Sequence, residues 1–267
     1  MMPMRPVLLA ALLLAVFATG ASAADDDPLA VLTATIERGG MAAADLAALY
    51  NSRGAAFAGR NDRQAALADF TQAIALRPDY VDAYVNRAGV YFAEAHFDPA
   101  LADYTAALQI ERTEAPLYVG RAQVYYYLKR YAASIADLKL AVQYSPASRH
   151  AVLWLYLAEW RAGQNAAAGL AANPVRWSPN EWPAALLALY LGNGTPDAAI
   201  AAARNSDPVT QRSQECEALF YSGEYQLTRG AAAQAAALLR QSLDVCPSWR
   251  TLHAAARLEL GRASAKP

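Results

Sequence analysis

Along the middle of the chain, large and small apolar positions recur in a fixed order. Tyr50, Gly54, Phe57, Ala66, Phe70, Ala73 and Pro78 open the series. Adding 34 to each gives Tyr84, Ala88, Tyr91, Ala100, Tyr104, Ala107 and Arg112. Adding 34 again gives Tyr118, Ala122, Tyr125, Ser134, Leu138, Ala141 and Pro146. The proline fails once, at Arg112. Within one unit, Tyr50, Gly54 and Phe57 fall on one face of a helix, and Ala66, Phe70 and Ala73 on one face of a second. Small residues at Gly54 and Ala66 let the two helices approach closely, while the aromatics fill the space beside them. Pro78 cannot continue the helix and ends it. A hairpin of this kind buries its remaining face only when another stacks on it, so such units come in arrays. The pattern predicts an all-α chain built as a solenoid of antiparallel helix pairs.

Three regular units cover 47–148. A fourth phase survives in Val152, Leu155, Leu157 and Ala168, with a shortened second helix ending near Ala172. Asn173 to Pro183 holds three prolines and two tryptophans and reads as a loop pinned by Trp177 or Trp182. A fifth unit runs from Trp182 through Tyr190 and Ala198 to Arg204, and Asn205 to Pro208 breaks the chain again. These two eroded units fill 149–210. A sixth returns within 211–267 at Leu219, Gly223, Gly230, Ala235, Leu239 and Pro247, followed by a final helix from Arg250 to Gly261 expected to cap the stack. Leu29 to Arg38 reads as a short helix covering the other end, within an N-terminal region, 24–46, that is mobile at its start.

This order of positions resembles the tetratricopeptide repeat, which implies a right-handed superhelix whose first helices line a concave groove. The positions that line it in the family correspond here to Asn51, Val85, Val119 and Leu153, to Asn86, to Ala58, Phe92, Tyr126 and Trp160, and to Tyr127 and Arg161. Aromatic rings with a few polar groups suit an extended or helical peptide; the alternative is that these rings pack against neighbouring helices. A clamp for a partner's terminal carboxylate, known in the family, would use Asn51, Ala55, Asn86, Pro116 and Gly120; both basic members are missing and Asn86 alone fits. Arg53, Arg87 and Arg121 recur one residue before the small position and are expected to link neighbouring repeats through carboxylates such as Asp69 or Asp103.

In the C-terminal half, Glu181-Trp182-Pro183 with Leu186 and Leu189-Tyr190-Leu191-Gly192 forms one element. Gln211-Arg212, Cys216-Glu217-Ala218, Phe220-Tyr221 and Gly223-Glu224 form another, and Cys246-Pro247 closes the set. Together they resemble exported bacterial NlpI-like proteins, periplasmic tetratricopeptide lipoproteins. That resemblance implies a dimerising adaptor that brings a protease to peptidoglycan hydrolases. A lipidated cysteine is absent from this sequence, so membrane anchoring does not carry over.

The ends and the composition narrow the picture further. Arg5, the apolar run Val7 to Phe17 and Ala21-Ser22-Ala23 read as a signal peptide spanning 1–23. The run is too short to span a bilayer as a helix, so the expectation is a periplasmic or secreted chain without stable membrane insertion. Formal net charge is −1 and no basic cluster stands out, which argues against nucleic acid as a partner. Cys216 and Cys246, the only cysteines, fall near the two ends of the sixth hairpin, which an antiparallel pair brings together. In an oxidising compartment they are expected to form a disulfide, the alternative being two buried thiols. The three histidines are scattered and make no metal set. Recognisable nucleophile, zinc-hydrolase, phosphate-loop and dinucleotide motifs are lacking. The reading is a non-catalytic scaffold with a protein or peptide partner and no cofactor, with self-association as a structural subunit the alternative.

Overall fold

The computed structural model describes residues 27–173, 182–248 and 250–264. The expected signal peptide at 1–23, Trp177 and Glu181 lie outside them. The described residues form helices without a strand, wound as a right-handed solenoid. Helix α1 (Pro28–Arg38) precedes three regular hairpins: α2 (Ala43–Gly59) with α3 (Arg63–Leu76), α4 (Val81–Ala93) with α5 (Phe97–Ile110), and α6 (Ala115–Tyr127) with α7 (Tyr131–Tyr144). Helix α8 (Arg149–Arg161) is paired with a short α9 (Ala166–Ala171), and α10 (Ala184–Tyr190) with α11 (Pro196–Ala202). Then come α12 (Pro208–Thr228), α13 (Ala232–Val245) and α14 (Thr251–Ser264).

Local chemistry sets the helix limits. Asp27, Asp62, Ser148, Asn165, Thr195 and Asp207 each accept a hydrogen bond from a backbone N–H of the first turn that follows. Prolines open α1, α11 and α12, where no intrahelical N–H is needed. The turn inside each of the first four hairpins carries a left-handed residue at the same repeat position: Asn61, Ala95, Lys129 and Gly163, with φ of 64°, 59°, 60° and 73°. Gly230 does the same in the sixth hairpin, at 72°. One backbone conformation thus recurs although the side chain there does not.

The two helices of a hairpin touch where the sequence is small. A Cβ placed on Gly54 would lie 2.8 Å from the Phe70 ring and 3.2 Å from the Ala66 carbonyl oxygen, and one on Gly223 would lie 2.9 Å from Leu239. Ala66, Ala88, Ala100, Ala107, Ala122 and Ala141 are fully buried, and Phe70 and Leu138 fill the gaps beside them. Across the same contact, Arg53 donates to both carboxylate oxygens of Asp69 at 2.7 and 2.8 Å. Arg87 does so to Asp103 at 2.9 and 2.7 Å, and Arg121 to Asp137 at 2.7 and 2.9 Å. These forks correct the expectation that the arginines join neighbouring repeats: each closes its own hairpin, because its partner stands 16 residues on, directly across the pair. The reach to a neighbour is secondary, Arg87 Nη1 donating to Thr71 Oγ1 at 3.0 Å.

After α8 the chain departs from a simple stack. Helix α12 comes against α8: Arg149 forks onto Glu217 at 2.9 and 3.1 Å, and the Trp154 and Phe220 rings lie 5.8 Å apart. Trp182 Nε1 also donates to Glu217 Oε2, at 3.1 Å, fastening the start of α10 to the same residue. Cys216 and Cys246 are bonded, with Cα atoms 5.0 Å apart. Helix α14 does not cap the end of the stack. It turns back across the concave face, where Arg257 donates to the Ala93 carbonyl and Arg262 to that of Tyr127. Tyr127 Oη in turn donates to the Ala255 carbonyl at 3.3 Å.

Two consequences can be measured. Gly54→Ala should destabilise the fold by about 1–3 kcal/mol through overpacking. Gly89→Ala, where an added Cβ meets nothing within 4 Å, should instead stabilise it by about 0.5–1 kcal/mol through helix propensity. Urea unfolding of both variants checks the opposite signs. Replacing both Cys216 and Cys246 by alanine should lower the unfolding free energy by roughly 3–4 kcal/mol in the same assay, since the bond closes a long loop.

Candidate functional site

The inner helices α2, α4, α6 and α8 present the groove residues, but α14 decides which of them a partner can reach. Phe92, Tyr126, Tyr127 and Leu153 are buried, Tyr126 and Leu153 completely. The expectation that they line an open groove is therefore corrected. The rings pack edge to face on one another, Phe92 to Tyr127 at 5.4 Å and Tyr126 to Trp154 at 5.3 Å between centroids. Ala254, Ala255 and Ala256 of α14 belong to the same buried core cluster. Trp160 is half-buried, with the Arg161 guanidinium 4.8 Å from its ring centroid.

What stays open lies to either side of the start of α14. One cleft, of 430 Å³, is lined by Ala58, Gly59, Val85, Asn86 and Gly89 from the first two repeats and by Ser248 and Thr251 from the C-terminal turn. An added Cβ would meet nothing within 4 Å at either glycine, so the space above them is free. Asn86 donates to Asn51 Oδ1 at 2.9 Å, and Asn51 reaches Tyr80 Oη at 3.4 Å, so the two asparagines form a fixed polar ridge between α2 and α4. The second cleft, of 410 Å³, has Val119 and Gln123 of α6 on one side and His150, Glu217 and Leu252 on the others. Burial lowers the His150 pKa, a shift that Glu217 opposes.

Beneath α14 sits a buried charged centre. Arg161 donates to Tyr126 Oη and to Glu259 Oε2, both at 2.9 Å. Arg262 donates to Glu259 Oε1 at 2.8 Å. Glu259 and Glu224 are completely buried. The Glu224 carboxylate, on α12, has the Tyr126 hydroxyl as its side-chain hydrogen-bond donor, in a loose geometry. Burial first, and then the neighbouring Glu259 carboxylate, push its pKa well above the usual range, while Arg161 and Arg262 pull the other way. Burial works against the charge of Arg161, but Tyr126, Glu259 and Glu224 outweigh it and raise its pKa. Of the predicted set, Arg161 alone enters this centre by its charge. Glu224, Glu259 and Arg262 were missed. The available signal was the run Ala254 to Ala256 with Glu259 and Arg262 one turn apart, the mark of a helix meant to dock closely. No group of three metal-ligating side chains occurs among the described residues, and no described helix is long and apolar enough to cross a membrane.

Residues 115–148, the third hairpin, match the family model described as "Tetratricopeptide repeat". That hairpin is a tetratricopeptide repeat. No curated protein matches it. Among solved structures, a tetratricopeptide repeat protein from Parabacteroides merdae ATCC 43184 is 18% identical with a TM-score of 0.53, covering 86% of this chain and 90% of its own. Yeast Tom70 is 15% identical with a TM-score of 0.53, covering 88% of this chain and 58% of its own. At these identities the likeness speaks for the fold, one generally used for protein interaction.

A pH dependence follows from Glu224. With its folded-state pKa raised, its contribution to stability is complete below the ordinary glutamate range and is lost as pH rises through the folded-state value. Glu224→Gln should therefore stabilise the protein by about 1–3 kcal/mol at pH 8, the order of cost of a buried polar group left poorly hydrogen-bonded. It should give little gain at pH 4. Urea unfolding of both proteins across that range checks the difference.

Proposed function

We propose that this protein is a non-catalytic adaptor of the bacterial envelope that holds a segment of another protein in the cleft over its first two repeats. The observation that carries this reading is the state of the concave face. Phe92, Tyr126, Tyr127 and Leu153 are buried in the core that α14 joins, whereas Ala58, Val85, Asn86 and Gly89 front an open cleft beside a polar ridge. A bound strand or helix would lay apolar side chains over Gly59 and Gly89 and turn polar groups toward Asn86. The apolar leader at 1–23 and the Cys216–Cys246 bond support export to an oxidising compartment. The NlpI-like elements around Trp182 and Cys216 support an adaptor linked to proteolysis or to peptidoglycan hydrolases.

A photo-crosslinking residue at Ala58 should capture a defined partner in cells. Adding Gly89→Trp, whose Cβ would meet nothing within 4 Å and whose ring projects into the cleft space, should cut that capture by about tenfold or more, the effect of losing a main binding contact. Gly89→Ala should leave capture intact. Unchanged capture with Gly89→Trp would remove the cleft from the binding site.

A further inference from the structure

The second cleft, between α6 and the start of α14, has no part in the function proposed above. We propose that it is a binding site for a small free carboxylate with a short branched apolar body, held by the buried Tyr104 and Gln123 side chains together with Arg250.

Two polar side chains line this cleft without a partner. Tyr104 comes from α5 and Gln123 from α6. They are 6% and 7% exposed, so each is more than nine-tenths buried. Neither makes a hydrogen bond to another described residue. Other polar side chains buried in the same hairpins do: Asp103 and Asp137 take arginine forks, and Ser134 donates to the Ala122 carbonyl. Burying a polar group without a partner is costly, which marks this pair as unusual. Gly120 makes room for the phenol, since a Cβ there would lie 2.4 Å from the Tyr104 ring and 2.9 Å from its Oη. Burial, helped by Asp103, pushes the Tyr104 pKa up to about 12, so the hydroxyl stays a donor at neutral pH.

The surrounding charges select the sign of the ligand. Among the described residues lining the cleft, Glu217 is the one carboxylate. Its oxygens already accept from Arg149 at 2.9 and 3.1 Å and from Trp182 at 3.1 Å. Arg149 cancels its charge, and burial favours the neutral form of His150. Arg250, which donates to Ser213 Oγ at 2.7 Å, leaves the set net positive. An anion is therefore favoured over a cation. Tyr104 brings an O–H and Gln123 an amide N–H, the donors from which a carboxylate accepts. Pro116, Val119 and Leu252 supply an apolar wall, which suits a hydrocarbon body. The volume of 410 Å³ lies near the lower end of the about 300–1,000 Å³ typical of small-molecule sites. A ligand the size of an amino acid fits that space whole. Tyr104 also borders the first cleft, whereas Gln123, His150 and Glu217 belong to this one alone.

The test uses the full chain and two probes, isocaproate and its neutral amide, with titration calorimetry as the readout. Isocaproate should bind saturably and about tenfold or more tightly than the amide, which keeps the shape and loses the charge. Gln123→Met and Tyr104→Phe should each weaken isocaproate by about tenfold, the effect of losing one hydrogen bond to a charged group. Both variants should keep or raise the urea midpoint, because the groups they remove have no partner within the chain, whereas a merely structural role would lower it. Gly89→Trp, in the first cleft, should leave isocaproate binding unchanged. No saturable binding, which is what a cleft holding only water would give, would overturn the proposal. So would equal affinity for acid and amide, an affinity that Gln123→Met does not alter, a midpoint lowered in both variants, or tighter binding of a capped peptide ending in leucine than of isocaproate. The first cleft is tested separately, by capture from Ala58, so either reading can fail alone.

Discussion

The close approach of two helices at one small residue governs this molecule. Gly54, Ala88 and Ala122 let the second helix of each hairpin come near enough for the arginine one residue earlier to fork onto its aspartate. The next residue in that series, 34 positions on, is Tyr156. Leu155 and Ala171 then stand where the arginine and aspartate would be. A tyrosine ring does not fit between two closely packed helices. The partner helix shrinks to the six residues of α9, and Tyr156 turns to Tyr190 instead, ring centroids 4.7 Å apart. The change of direction after the fourth repeat thus has a local cause. Where the small residue returns, at Gly223 against Leu239, a full-length hairpin returns with it.

That diversion creates the interior of the C-terminal half. With no long second helix behind it, α8 receives α12, through Arg149 on Glu217 and Trp154 against Phe220. The sixth hairpin then leaves its last helix facing the concave side of the first repeats. Helix α14 is consequently a lining of the groove, and the two open clefts are the spaces left beside its first turn.

The regular part of this architecture was legible because its determinants are local and periodic. Small and large residues at fixed spacing reveal hairpins, and the two cysteines reveal where a hairpin's ends meet. The arginines were legible as structural and Asp69 and Asp103 as their acceptors, but the contact was placed between repeats because a spacing of 34 says which residues repeat and not which face each other. The groove failed for a different reason. Phe92 and Tyr126 occupy positions that line a channel in any such array, and their burial depends on a helix some 130 residues further along. No pattern near Tyr127 announces Ala255 as its partner. Glu224 was hidden for the same reason, since its environment is assembled from α6, α8, α10 and α14 together.

The charged centre also explains how a nearly featureless helix finds one place to lie. Its buried apolar residues are Leu252 and Ala254 to Ala256, mostly small, so packing alone distinguishes one turn from the next only weakly. Glu259 removes that freedom. It must meet Arg161 and Arg262 at once, and a shift of one turn would strand all three charges in a buried setting. Buried ion pairs add little net stability, because desolvation offsets the attraction, but breaking one is costly. Here that asymmetry supplies register. The buried carboxylate of Glu224 limits the same device, since the residue that selects the register also sets a like charge beside it. Helix α14 thus takes its register from Glu259, while Leu252 and the alanines beside it supply the apolar contact.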